Sequence, residues 1–220
     1  MKTSGANMKN RIRLSSNANS HRWIQKWPGR SDVNENKVPS MLVYSSDHTR
    51  PPAWGFKAAQ QWEQNPDRGD VKEWFKTLLD PETLERHKRQ DSSLETTHDD
   101  VCQWLRDYLR PLYQHIKSKL QPELGRSQWS KARVEFLFSV PTTWSPQVVE
   151  DFRSVINQAG FAGRDNMNHS VTISLTEPEA AAVFTSTESA SIFEQGDVMV
   201  VCDAGGGTTC LLYTSDAADE

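Results

Sequence analysis

Between Val134 and Thr209 the chain alternates strand-like and helix-like stretches, and that order restricts it to an α/β fold. VEFLFSVP, residues 134–141, is a continuous apolar run of strand length closed by a proline, the pattern of a buried strand in a parallel sheet. SPQVVEDFRSVINQAGF follows, with Ser145 placed to cap a helix, Pro146 at its first position and a stop near Gly160. SVTISLTEPEAAAVFT repeats the order: alternating apolar residues to Leu175, a short acidic corner, then an alanine-rich helix. DVMVVCDAGGGTT is a strand that runs into a glycine turn.

Upstream the pattern is less regular. Residues 1–20 are polar, offer almost nothing to bury and are expected to be disordered. Met41–Tyr44 reads as a short strand. From Pro52 to Leu79 the apolar residues recur at helical spacing, which predicts two short amphipathic helices broken at Asn65–Pro66 and stopped at Asp80–Pro81. A longer helix is expected from Thr97 to Leu120, with Val101, Trp104, Leu105, Tyr108, Leu112, Ile116 and Leu120 on one face and a kink at Pro111. A 36% hydrophobic content with eight Trp and eight Phe is enough for the core of one sizeable domain or two small ones.

Charge narrows the possible partners. The net charge of −4 is mild and neither sign forms long blocks, so nucleic acid and anionic membranes are not expected. Cys102, Cys202 and Cys210 show neither metal-ligand spacing nor a disulfide framework, which fits a reducing compartment. No apolar stretch serves as a signal peptide or membrane span, so a cytoplasmic protein is expected, with organelle targeting by the basic, serine-rich start as the alternative.

Three stretches could carry chemistry. In VCDAGGGTT, Asp203 stands at a strand exit, where a carboxylate could hold Mg²⁺ through water. Gly205, Gly206 and Gly207 let phosphate oxygens approach bare N–H groups, and Thr208 and Thr209 add hydroxyl donors. A plain glycine-rich hairpin is the competing reading; neither a P-loop nor a Rossmann fingerprint is present. In LTEPEAAAVF, Glu177 could polarise water beside neighbouring strand ends, where α/β ligands bind. The simpler reading is a helix start, with Thr176 as cap and Glu177 and Glu179 in the first turn. VPTTW places Pro141 and two hydroxyls after the first strand and, alone, is a turn.

Taken in order, VEFLFSVPTTWSPQVVEDFRSVINQAGF, LTEPEAAAVF and VVCDAGGGTT resemble the ATPase domain of the 70-kDa heat-shock protein family of chaperones. WGFKAAQQWEQNP extends the likeness backward, and the WGF and WFKTLLD pieces look most like the divergent heat-shock-70-like proteins common in fungi. The resemblance implies an actin-like ATPase (ribonuclease H-like) fold, with residues 21–209 as an incomplete first lobe of the nucleotide-binding domain. It implies ATP and Mg²⁺ as ligands, and client polypeptides and co-chaperones as partners. By the same resemblance Asp203 is a catalytic residue and holds Mg²⁺ through water. Gly206, Gly207 and Thr208 contact phosphate in a nucleotide hairpin that Gly205 and Thr209 complete. Glu177 positions water and senses the nucleotide, and Pro141 matches a proline that switches the family between nucleotide states. A catalytic lysine is expected near Lys72 and Lys76, although a solvated helix face accounts for either one.

The likeness fails at both ends. The family's first phosphate hairpin, D-x-G-T-T, is not found in the opening forty residues, and its second lobe is expected only beyond about residue 210. CLLYTSDAADE, residues 210–220, back-translates into a transposase adapter used in preparing sequencing libraries and is read as a non-native tail; a natural divergent strand with an acidic end is the alternative. Two other functions compete: a sugar or acetate kinase of the same superfamily, which the E-P-E-A-A-A helix start disfavours, and a nucleotide-sensing interaction protein without turnover. On this reading the chain by itself hydrolyses no ATP and binds MgATP weakly or not at all, because half the phosphate clamp is missing. Isothermal titration with MgATP checks this, and tight binding would contradict it.

Overall fold

The computed structural model describes residues 7–9, 11–13, 21–47, 49–91, 95–124, 128–163, 167–188, 198–204 and 209–215. Side chains at 7–22, 68, 188, 198, 203–204 and 209–215 are outside the description. It shows a mixed α/β protein with small sheets and six α-helices among the described residues.

Two three-residue strands, β1 (Asn7–Lys9) and β2 (Arg11–Arg13), fall inside the span expected to be disordered. β2 pairs with β3 (His21–Trp23), and β1 pairs with β4 (Lys37–Pro39), both antiparallel. β5 (Met41–Ser45) is the strand expected at Met41–Tyr44, and it pairs antiparallel with β6 (Ala53–Trp54). Helix α1 (Gly55–Gln64) follows, then a 3-10 turn at Pro66–Arg68.

Beyond this turn the expectation of a second helix is corrected. Residues Gly69–Glu73 form strand β7, antiparallel to β5 from Met41↔Glu73 to Ser45↔Gly69. Val71 and Trp74 have the i, i+3 separation of a helix, and pairing with β5 overrules it in favour of the strand. A Cβ at Gly69 would sit 2.7 Å from Val43 Cγ1, so the close strand approach depends on glycine. Only Phe75–Leu78 are helical here, as α2. Asp80–Pro81, expected as a stop, is the start of α3 (Pro81–Gln90): the Asp80 carboxylate accepts from Thr83 N–H at 3.1 Å, and Pro81 takes the first turn.

Helix α4 (His98–Leu120) matches the predicted long helix and runs continuously through Pro111. Thr97 and Asp100 form a reciprocal capping box at its start. Val101, Leu105, Tyr108, Leu109, Leu112, Tyr113 and Ile116 are buried along one side, while Trp104 and Leu120 are only partly covered. Two 3-10 turns, Gln121–Leu124 and Trp129–Lys131, lead to β8 (Val134–Val140).

Strand β8, helix α5 (Pro146–Gln158) and strand β9 (His169–Thr176) form a parallel unit, with pairing from Val134↔His169 to Val140↔Thr176. Ser145 caps α5, and Gly160 ends it at φ +105°, a conformation that favours glycine. The strand is parallel as expected, but not buried on both faces. Phe136 and Val140 are covered, whereas Leu137 is 72% exposed, because helices cover one face of this two-stranded sheet. Phe161 joins the layers: its ring lies 4.9 Å from Phe136, 5.1 Å from Tyr113 and 5.2 Å from Phe138. Helix α6 (Glu177–Glu188) and the antiparallel strands β10 (Val198–Ala204) and β11 (Thr209–Ser215) complete the order. The β10–β11 ladder crosses residue 210, the expected start of the tail.

Two histidines are held neutral by packing. His169 Nε2–H donates to the Trp129 carbonyl at 3.0 Å and His115 Nε2–H to the Lys26 carbonyl at 2.9 Å, and burial pushes both pKa values below the usual 6.5. Their folded pKa lies below the unfolded one, so the unfolded chain takes up protons first as pH falls. The urea midpoint should therefore hold above about pH 6.5 and decline toward about pH 5. Equilibrium unfolding across that range measures it; a midpoint that rises on acidification would contradict the assignment.

Candidate functional site

Strand β9 ends at Thr176 and α6 begins at Glu177, so the junction carries two acidic side chains with different duties. Glu179 closes a capping box: its carboxylate accepts from Thr176 N–H and Thr176 Oγ1–H, both at 2.7 Å, while Glu179 N–H donates back to Thr176 Oγ1 at 3.4 Å. Those bonds, the backbone one foremost, hold the Glu179 carboxyl below the usual carboxylate range. The simpler reading of the acidic corner is thus right for Glu179.

Glu177 is used differently. Its Oε1 forms an ion pair and hydrogen bond with Lys76 Nζ, from helix α2. The Lys76 side chain is 12% exposed and that of Glu177 27%, so the pair is largely screened from water. This corrects the reading of Lys76 as part of a solvated helix face. Phe75 and Leu78, both buried, pin the short helix, and the Phe75 ring lies 5.5 Å from Tyr108 of α4. Trp74, just before the helix, adopts a left-handed backbone at φ 60°, rare for a bulky residue. Its carbonyl accepts from Thr77 N–H at 2.9 Å and Thr77 Oγ1–H at 2.7 Å. This turn swings the chain out of β7 and sets Lys76 toward β9.

Lys72 has another role. It lies on strand β7, pairs with Asp70 at 2.8 Å and sits 4.7 Å from the centre of the Trp104 ring. The ion pair stays within β7, and the cation–π contact with Trp104 ties the strand to α4.

Pro141 belongs to the same neighbourhood as Glu177. Val140↔Thr176 is the last pair of the parallel ladder, so Pro141 and Glu177 follow it at the same sheet end. Pro141 is buried, and its carbonyl accepts from Trp144 N–H at 3.2 Å. Trp144 then anchors the turn against Phe152, with ring centres 5.3 Å apart.

The structure places Asp203 next to last in β10, opposite Cys210, and Ala204 opposite Thr209. Gly205, Gly206, Gly207 and Thr208, the expected phosphate contacts, lie outside the described residues, as do the side chains of Asp203 and Thr209. They join two antiparallel strands, and α6 contacts both strands. Among the described residues no group of three or more His, Cys, Asp or Glu could hold a metal ion. A cavity of about 400 Å³ lies elsewhere, lined by Tyr113, Gln114, Lys117, Gln121, Trp129 and Gly160 among others. Among the described residues no helix is long and apolar enough to cross a membrane.

No protein-family model matches the chain, and a search of curated proteins finds no match.

Chemically, the Lys76–Glu177 pair joins a cation able to neutralise an anionic ligand with a carboxylate able to orient water. Substituting Lys76→Met, Glu177→Gln and both together should reveal a coupling of about 1–3 kcal/mol, the usual range for hydrogen bonds between charged groups that are shielded from water. Urea unfolding of the four proteins measures it, and strictly additive single effects would contradict the pairing.

Proposed function

We propose that Lys76, Glu177, Pro141 and the glycine-rich stretch linking β10 to β11 belong to the phosphate end of an ATP site, in a Mg²⁺-dependent ATPase of the heat-shock-70-like, actin-like kind. The observation that carries the reading is the Lys76–Glu177 pair, a shielded lysine and carboxylate brought together from distant elements at the end of a parallel strand pair. Ligands of α/β proteins characteristically bind beyond such strand ends. The order β8, α5, β9, α6, β10, β11, with the V-P, E-P and D-x-G-G-G-T stretches at its junctions, favours a first lobe of that fold.

Phosphoryl transfer to water depends on charge neutralisation and positioning more than on covalent chemistry by the protein. Lys76 Nζ is suited to neutralisation, because an arriving phosphate would compete with Glu177 for the ammonium. Release from Lys76 would leave the Glu177 carboxylate available to orient a water molecule, which also gives the pair a way to register whether nucleotide is bound. The glycines at 205–207 suit close approach of phosphate oxygens to backbone N–H groups. Asp203 would hold Mg²⁺ through water, and the ion would supply further neutralisation of phosphate charge. Pro141, stiff and buried at the same sheet end as Glu177, suits transmission of the change into β8. As a chaperone of this type the protein would work in the cytoplasm on unfolded clients, with co-chaperones.

The test is steady-state ATP turnover by the full gene product and by its Lys76→Ala and Asp203→Ala variants. Loss of about a hundredfold or more in kcat in either variant, with the fold intact, is the expected result for groups that stabilise developing phosphate charge. Nucleotide binding without Asp203-dependent hydrolysis would identify a sensing protein without turnover, and absence of both would end the proposal.

A further inference from the structure

A second cluster of reactive side chains lies where α4 meets α5. His98 and Cys102 are one turn apart on α4, and Cys102 Sγ lies 3.7 Å from His98 Nδ1. The other ring nitrogen, Nε2, faces Asp151 Oδ2 of α5 at 3.6 Å; it is shielded from solvent and within ion-pair reach but beyond hydrogen-bond length. Asp151 is itself held by Gln147, whose Nε2–H donates to its Oδ1 at 2.9 Å. A thiol, a base and a carboxylate that steadies the base are thus aligned from two packed helices, the arrangement by which a weak nucleophile is activated.

Cys102 is partly exposed and carries no disulfide, so an incoming reagent can reach it. Burial raises its thiol pKa, with Arg106 opposing and Asp151 and Asp99 reinforcing the effect. The resting group is therefore the thiol, and its reactivity depends on a base close enough to take the proton. His98 Nδ1 occupies that place.

We propose that Cys102 is a reversible modification site for small-molecule disulfides, with His98 as its base and Asp151 as the carboxylate that orients the imidazole. His98 Nδ1 removes the Sγ proton as Sγ attacks one sulfur of the disulfide. The Cys102–sulfur bond forms, the reagent's S–S bond breaks, and the departing thiolate takes the proton from His98. Cys102 is oxidised to a mixed disulfide, half of the reagent is reduced to a free thiol, and excess thiol reverses the exchange. The site does not depend on nucleotide chemistry. Its position between α4 and α5 makes it a place where the redox state of the surroundings can act on helix packing.

Oxidised glutathione is the probe, and peptide-resolved mass spectrometry follows the rate at each cysteine, with exposed Cys202 as the internal reference. In the native chain Cys102 should form a mixed disulfide that dithiothreitol removes. His98→Gln should slow the reaction at Cys102 by about tenfold or more, the lower part of the range for loss of a positioned base, and Asp151→Asn should slow it less. Cys202 should react at the same rate in all three proteins, and circular dichroism should show an unchanged helix content. Should His98→Gln loosen the start of α4, Asp151→Asn, on the neighbouring helix, still provides the comparison. An unmodified Cys102 beside a reacting Cys202, or a Cys102 rate unchanged or raised in Asp151→Asn, would overturn the proposal.

Discussion

The buried face of α4 is the constraint on which the rest of the structure depends. Seven of its side chains are shut away from water, each contributing roughly 1.5–3 kcal/mol by burial, while an exposed ion pair such as Lys88–Glu85 contributes at most about 1 kcal/mol. Phe75 of α2 meets this face at Tyr108, and Phe161 and Trp129 meet it at Tyr113. One helix therefore holds the segment that carries Lys76 and the layer that carries β8 and β9. The ion pair between Lys76 and Glu177 is a consequence of this packing, since neither short α2 nor the start of α6 has the length to position itself.

The parallel unit shows the opposite tendency. Parallel strands are ordinarily covered on both faces, yet here Leu137 and Leu175 remain exposed, and Val183 and Phe184 of α6 are open as well. An apolar face of this kind favours association, so the energetic strength of the molecule lies around α4 and its weakness on the outer face of β8, β9 and α6. Sites that respond to ligands are commonly drawn from such weakly held regions.

Much of the fold is legible in the sequence because its signals are local. Ser145, Thr97 and Thr176 each mark a helix start within four residues, and the structure places a cap at all three. Strand β7 is not legible: Val71 and Trp74 fit a helical spacing, and the partner that overrules it lies in β5, across helix α1. Asp80–Pro81 is legible as a boundary but not in its direction, since it suggests an end and is the capped beginning of α3. Lys76 shows the same limit at the site, because its burial depends on Glu177, 101 residues later in the chain. The flanking Phe75 and Leu78 are the available signal, since two anchors in so short a helix leave the lysine between them little freedom. The roles of Glu177 and Glu179 separate only through the hydrogen bonds that commit one to Lys76 and the other to Thr176.

On the function proposed, the Lys76–Glu177 pair marks the phosphate end of a nucleotide site. A crystal structure of the full gene product with Mg²⁺ and a non-hydrolysable ATP analogue tests it most directly. The terminal phosphate should lie within hydrogen-bond distance of Lys76 Nζ, with the Glu177 carboxylate drawn away from the lysine. An analogue seated elsewhere, for instance in the cavity beside Tyr113 and Trp129, with the Lys76–Glu177 pair intact, would contradict it.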